Sequence, residues 1–197
     1  LEVHVTLWPE SNRTQRGEVV DGSGAPVAEA LVRAYRCLDG GAVGGAARGV
    51  TLLTDEAGRF ELKELPTIDC FVVAEHERFA SSSIRIASDG GGAPIRLMLQ
   101  PPVIVPLVVR FDSEQAAAAR RRMHLRVFDR EGVPLFDDRY RFGMGQDSSW
   151  GPRAALPLPP GRVTIEAFAP GCAPIRTELD VAAGARLELE FQPAAEH

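Results

Sequence analysis

What most restricts this chain is an alternation of period two that returns again and again and never lasts long. Val3, Val5 and Leu7 alternate with polar positions, and Leu31, Arg33 and Tyr35 alternate with Val32 and Ala34. The same spacing links Phe60 to Leu62, Ile84 to Ile86, and Ile95 to Leu97 and Leu99. It reappears in Val163, Ile165 and Ala167, then in Leu187, Leu189 and Phe191. Period two places each set on one face of a strand. Turn residues break the runs every 8 to 12 residues or so, the spacing of an antiparallel sandwich. The 19 glycines and 15 prolines among 197 residues exceed the average combined usage of about 12%, as many short connections require.

Two of those turns share a pattern. Val20-Asp21-Gly22-Ser23-Gly24-Ala25-Pro26-Val27 and Phe128-Asp129-Arg130-Glu131-Gly132-Val133-Pro134-Leu135 both read hydrophobic–Asp–x–x–Gly–x–Pro–hydrophobic. Every member has a structural task. The Asp accepts hydrogen bonds from amides a few residues on, the Gly takes a positive φ, and the Pro removes a donor. The pattern therefore reads as a backbone corner rather than a working site. Aligning the two corners gives an offset of 108. The later segments FVVAEHERFASSSIR and VTIEAFAPGCAPIR, with APIRLMLQP and ARLELEFQP, and Asp55 over Asp147, align at 92. The difference, 108 − 92 = 16, assigns about sixteen extra residues to the first copy. Gly-rich LDGGAVGGAARGV, residues 38–50, is read as that insert and as a mobile loop.

The expected fold is all-β: two tandem antiparallel sandwiches, residues 1–101 and 102–197, with one short helix in the second. That helix is SEQAAAARRRM, residues 113–123, where Ser113 serves as N-cap and the terminal arginines suit the helix dipole. Asp55, in TDEAGRF, caps a hairpin that ends at Gly58. LEVHVTLWP is read as the first strand of the first copy, by its parallel with VIVPLVVRF, with the last strand of an upstream domain as the alternative.

GEVVDGSGAPVAEALVRAY, followed by TDEAGRFEL, ELP and the FVVA strand, resembles the carboxypeptidase regulatory-like domain, with the pattern running from Gly17 to Leu99. The second copy keeps the corner and the Pro159-Pro160-Gly161 and Ala169-Pro170-Gly171 turns but loses the TDxxGxF hairpin. The resemblance implies a transthyretin-like seven-stranded sandwich that is non-catalytic, often in tandem, in secreted or envelope proteins. The implied partners are neighbouring domains of a longer protein, then another protein or a glycan. No cofactor and no substrate are implied.

The remaining residues point to little chemistry. A net charge of −5 argues against nucleic acid or an anionic membrane as main partner. Arg120-Arg121-Arg122 is the only basic run, and no stretch of 18 apolar residues exists to insert in a bilayer. Lys63 is the single lysine among 22 basic residues and Asn12 the single asparagine, a bias of GC-rich codons that points to a bacterial genome. The chain opens inside a strand-like pattern without a signal peptide, and so reads as a piece of something longer. Cys37, Cys70 and Cys172 form no metal-binding spacing; Cys37 and Cys70 either pair in an oxidising compartment or stay as thiols. His4, His76, His124 and His197 form no HExxH, since Ala80 stands where a second His would follow His76-Glu77. Tyr35 and Tyr140 lack the His pair that the iron site of intradiol dioxygenases needs, and Lys63 and Asn12 do not sit where a Lys–Asn staple would join end strands. Asp21, Asp55 and Glu56 as a weak calcium site is the lesser reading beside Asp55 as hairpin cap. Trp150 in GMGQDSSWGPR, with Trp8 and Tyr140, supplies the aromatics for a binding alternative that would also use residues 38–50.

Overall fold

A computed structural model of the protein describes residues 13–37, 43–65, 67–89, 92–112, 123–137 and 155–194. Every regular element among them is a strand. They run β1 (Arg13–Asp21), β2 (Leu31–Cys37), β3 (Val43–Leu53), β4 (Arg59–Leu65), β5 (Cys70–His76), β6 (Phe79–Ile86) and β7 (Ile95–Leu99). Then follow β8 (Val103–Phe111), β9 (His124–Asp129), β10 (Pro134–Asp137), β11 (Ala155–Leu158), β12 (Gly161–Phe168), β13 (Ile175–Val181) and β14 (Leu187–Phe191). The strands form four sheets, ordered β4-β1-β7, β3-β2-β5-β6, β11-β8-β14 and β10-β9-β12-β13. Adding seven to each label of the first two orders gives the last two. The chain divides into two compact units, Leu1–Ala74 with Ile84–Met98 and Glu75–Ser83 with Leu99–His197.

The alternation read in the sequence is what closes each core. In the second unit Val105 and Leu107 of β8, Leu125 and Val127 of β9, Val163 and Ile165 of β12, and Leu187, Leu189 and Phe191 of β14 share one buried cluster. These come from both sheets, which makes the unit a sandwich. Across β12 the pairing is antiparallel to β9 and β13, while β14 runs parallel to β8 with Phe191 opposite Phe111. Ser81 Oγ donates to the Leu135 carbonyl at 2.5 Å and Ser83 Oγ to that of Pro134, and Ala80 N donates to Gln100 O. These bonds tie residues 80–83 to the second unit. In the first unit Val19, Val32, Tyr35, Phe60, Leu62, Phe71, Val73 and Leu97 are all buried. β5 is covered on both faces from Cys70 to Ala74.

Three expectations are corrected. The inserted helix has no counterpart among the described residues, whose regular elements are all strands, and Met123, at its expected end, is a core residue just ahead of β9. Positions 113–122 lie outside the described residues. Residues 43–50, read as loop, belong to β3, with Ala46 opposite Tyr35 and Val43 opposite Cys37. Pairing to β2 supplies the ladder that glycine-rich sequence does not favour by itself. The two Asp–x–x–Gly–x–Pro corners, aligned as equivalents, are not. Asp21 ends β1, the middle strand of a three-stranded sheet, and Asp129 ends β9, inside a four-stranded one. By sheet position β9 matches β2, which sets Val32-Arg33-Ala34-Tyr35 over Leu125-Arg126-Val127-Phe128 and leaves no sixteen-residue surplus there. The corner recurs because its chemistry is local, wherever the chain must reverse.

Candidate functional site

The corners are built alike. Asp21 Oδ1 accepts from the amides of Ser23 (2.8 Å) and Ala25 (3.0 Å) and from the Ser23 hydroxyl (2.7 Å). Asp129 Oδ1 accepts from Glu131 and Val133 amides, both at 2.8 Å, and Asp55 Oδ1 from Ala57 (2.9 Å) and Arg59 (2.7 Å). In each case the glycine three residues on donates its amide to the Asp carbonyl, and Gly24, Gly58 and Gly132 have φ of 87°, 70° and 76°. Pro26 and Pro134 stand opposite Val20 and Phe128, the residues that precede each Asp. The Oδ1 of Asp21, Asp55 and Asp129 is thereby committed to backbone amides. No group of three or more His, Cys, Asp or Glu able to hold a metal occurs among the described residues.

Trp8, Tyr140 and Trp150 lie outside the described residues, as do residues 38–42, Asn12, His4 and His197 and the side chain of Cys37. His76 Nδ1 accepts from Arg78 N, and its ring meets Phe79. Cys70 is buried and takes a contact from Arg13 Nη2 at 3.2 Å. Lys63, the one lysine, is 72% exposed and pairs with Glu61 at 3.5 Å. It is a solvated surface cation.

The structure adds a feature that single residues did not announce. The outer face of β4-β1-β7 carries a groove of about 520 Å³ lined by Arg16, Glu18, Asp55, Arg59, Glu61 and Arg96, with Gly17, Phe60, Pro94 and Ile95. Register creates it: Arg16 stands opposite Glu61 and Glu18 opposite Arg59. Arg16 Nε reaches Glu61 Oε2 at 3.0 Å, and Arg96 Nε reaches Glu18 Oε1 at 3.2 Å. Arg59 makes no ion pair or side-chain hydrogen bond among the described residues. The alternation of charge along β1 and β4 is visible in sequence, but which charges meet depends on register.

Arg16 hydrogen-bonds Glu61 and holds its carboxyl below the usual range, with Lys63 adding to the effect. The Ser23 hydroxyl and amide lower Asp21 in the same way. Asp69 is lowered first by Arg85 and then by the Ser88 amide. A depressed folded value gives stability that is present above the unfolded value and lost as pH falls through the folded one. The thermal midpoint of the first unit is therefore expected to hold from neutral pH to mild acid and to fall below about pH 4. Asp69→Asn should flatten part of that descent, and an acid limb unchanged in the mutant would remove Asp69 from the account.

No protein family matches the sequence, and no curated protein matches it. Among solved structures, the chain is similar to a streptococcal ancillary pilin (13% identity, 94% of this chain and 63% of that one, TM-score 0.35). It is similar also to the Bacillus anthracis TIE protein (14%, 92% and 34%, TM-score 0.33). A third is 3-chlorocatechol 1,2-dioxygenase from Rhodococcus opacus 1CP (17%, 47% and 61%, TM-score 0.33). The chain thus spans between a third and two thirds of the length of these three proteins.

Proposed function

We propose that this chain is a non-enzymatic structural and assembly module of a bacterial secreted or cell-envelope protein. It comprises a carboxypeptidase regulatory-like sandwich, residues 1–101, and a divergent second sandwich of related topology, residues 102–197, that hold neighbouring domains at a set spacing. The observation that carries this reading is the shared strand order: three- and four-stranded sheets, in the same sequence of strands, occur twice along one chain. A repeated sandwich invests its residues in closing two cores, and its recurring polar motif goes into turns. The three Asp side chains of those turns are engaged by their own backbone. No helix among the described residues is long and apolar enough to cross a membrane.

The test combines metal analysis of the purified chain with a thermal-shift screen of small metabolites and simple sugars. The expected result is no stoichiometric metal and no saturable rise of the midpoint, since any ligand that binds the folded state raises it. A small molecule that does so at stoichiometry, or a retained metal, overturns the structural reading.

A further inference from the structure

The groove on β4-β1-β7 is better equipped with donors than its formal charge implies. Among the described residues the ion pairs of Arg16 and Arg96 run through Nε, and their terminal nitrogens make no hydrogen bond there. The Arg59 side chain commits nothing among the described residues, its backbone amide being engaged by Asp55. On the acceptor side, both oxygens of Glu61 are taken, by Arg16 and Lys63, Glu18 Oε1 is taken by Arg96, and Asp55 Oδ1 by two amides. A guanidinium has five N–H donors and no acceptor. The surplus in the groove is therefore of N–H groups, arranged for planar, two-oxygen acceptors.

We infer that this groove binds an extended acidic peptide segment with carboxylates at alternate positions. This deepens the assembly reading by giving the module a surface for a protein partner. Arg16 and Arg59 are diagonal neighbours across the β1–β4 pair, a relation that separates residues by about 7–8 Å. Alternate side chains of an extended peptide repeat every 6.6–6.8 Å or so, so two successive same-face carboxylates meet the two guanidiniums. Arg96, on the far side of β1 from β4, adds a third donor about 10 Å from the β4 row, two strand spacings away. A sugar would want an exposed aromatic plane. Phe60, the aromatic at the groove, is only 6% exposed, which favours the peptide.

The test is fluorescence anisotropy of a labelled dodecapeptide of alternating Glu and Ser, titrated with the full chain, beside a Gln/Ser control. Saturable binding of the Glu peptide alone is expected, weakened about tenfold or more by Arg59→Ala with no change in thermal midpoint. Arg59 closes its turn through its backbone amide, so the variant keeps the fold. Arg59→Lys keeps the charge without the fork and should fall between the two. Absence of saturable binding, equal binding of the Gln peptide, or affinity untouched in both Arg59→Ala and Arg96→Ala overturns the assignment. So does a heparin fragment that binds about tenfold tighter than the peptide, since a sulfated glycan would then be the occupant. Failure here leaves the small-molecule and metal results of the structural reading standing, because neither probe set overlaps the other.

Discussion

Gly58→Ala is expected to destabilise the first unit by about 2–5 kcal/mol, while the same change at Gly132 costs the second about 1–2. The two glycines occupy the same place in the same turn, with φ of 70° and 76°. A methyl at positive φ strains both alike. At Gly132 the new Cβ meets nothing within 4 Å; at Gly58 it lands 2.5 Å from Val19 O and 3.1 Å from Val27 N. Those are backbone atoms held in place, because Val19 N donates to Gly58 O and Val27 N to Val19 O. They cannot swing aside as a side chain would. Overpacking against fixed backbone then adds to the conformational term. Urea unfolding of the two single mutants measures the difference directly, and equal losses would mean that φ alone governs this turn.

Phe191→Ala should cost the second unit about 3–5 kcal/mol, a large part of the 5–15 kcal/mol typical of a whole domain. Phe191 is fully buried, and its ring stacks on Phe111 with centroids 5.1 Å apart and planes 12° from parallel. The pair joins β14 to β8 at the C-terminal end of their parallel ladder. Truncation removes buried apolar area, leaves a cavity between the sheets and loses the aromatic contact. Ile104→Ala is the matched control. Ile104 sits on the same β8 strand but is 59% exposed, so its loss should stay within about 0.5 kcal/mol. Amide exchange read separately for β8–β14 and β1–β4 would show the loss in the second unit. Comparable destabilisation by Ile104→Ala would contradict the burial assigned to the two positions.

Much of the strand content was legible beforehand, and the reason is chemical. Residues such as Phe60 and Leu62, or Val163 and Ile165, are separated by one position, and a strand needs nothing more to sort them onto one face. The Asp–x–x–Gly turn was legible for the same reason: donor, acceptor and positive-φ residue all lie within five positions. Reading the motif as a marker of equivalent places was the error, since a local turn carries no information about which strand it ends. The stretch 43–50 failed in the opposite direction. Its glycines disfavour a strand locally, yet β2 offers a ladder, and long-range pairing outweighs local preference. Buried polar residues were also missed. Thr54, 4% exposed, donates to Val27 O and accepts from Ala30 N, and Gln15 reaches Ala93 O and Arg16 O. Neither has a signature in its own neighbourhood.

The sequence alone determined that this chain makes short two-faced strands joined by Asp- and Gly-based turns, because those choices are settled within a few residues. Only the tertiary structure decided which strands are neighbours, that the same strand order occurs twice, and that Arg16, Arg59 and Arg96 line one groove. Those outcomes depend on strand register between distant segments, where a shift of one residue would turn every one of these side chains to the other face.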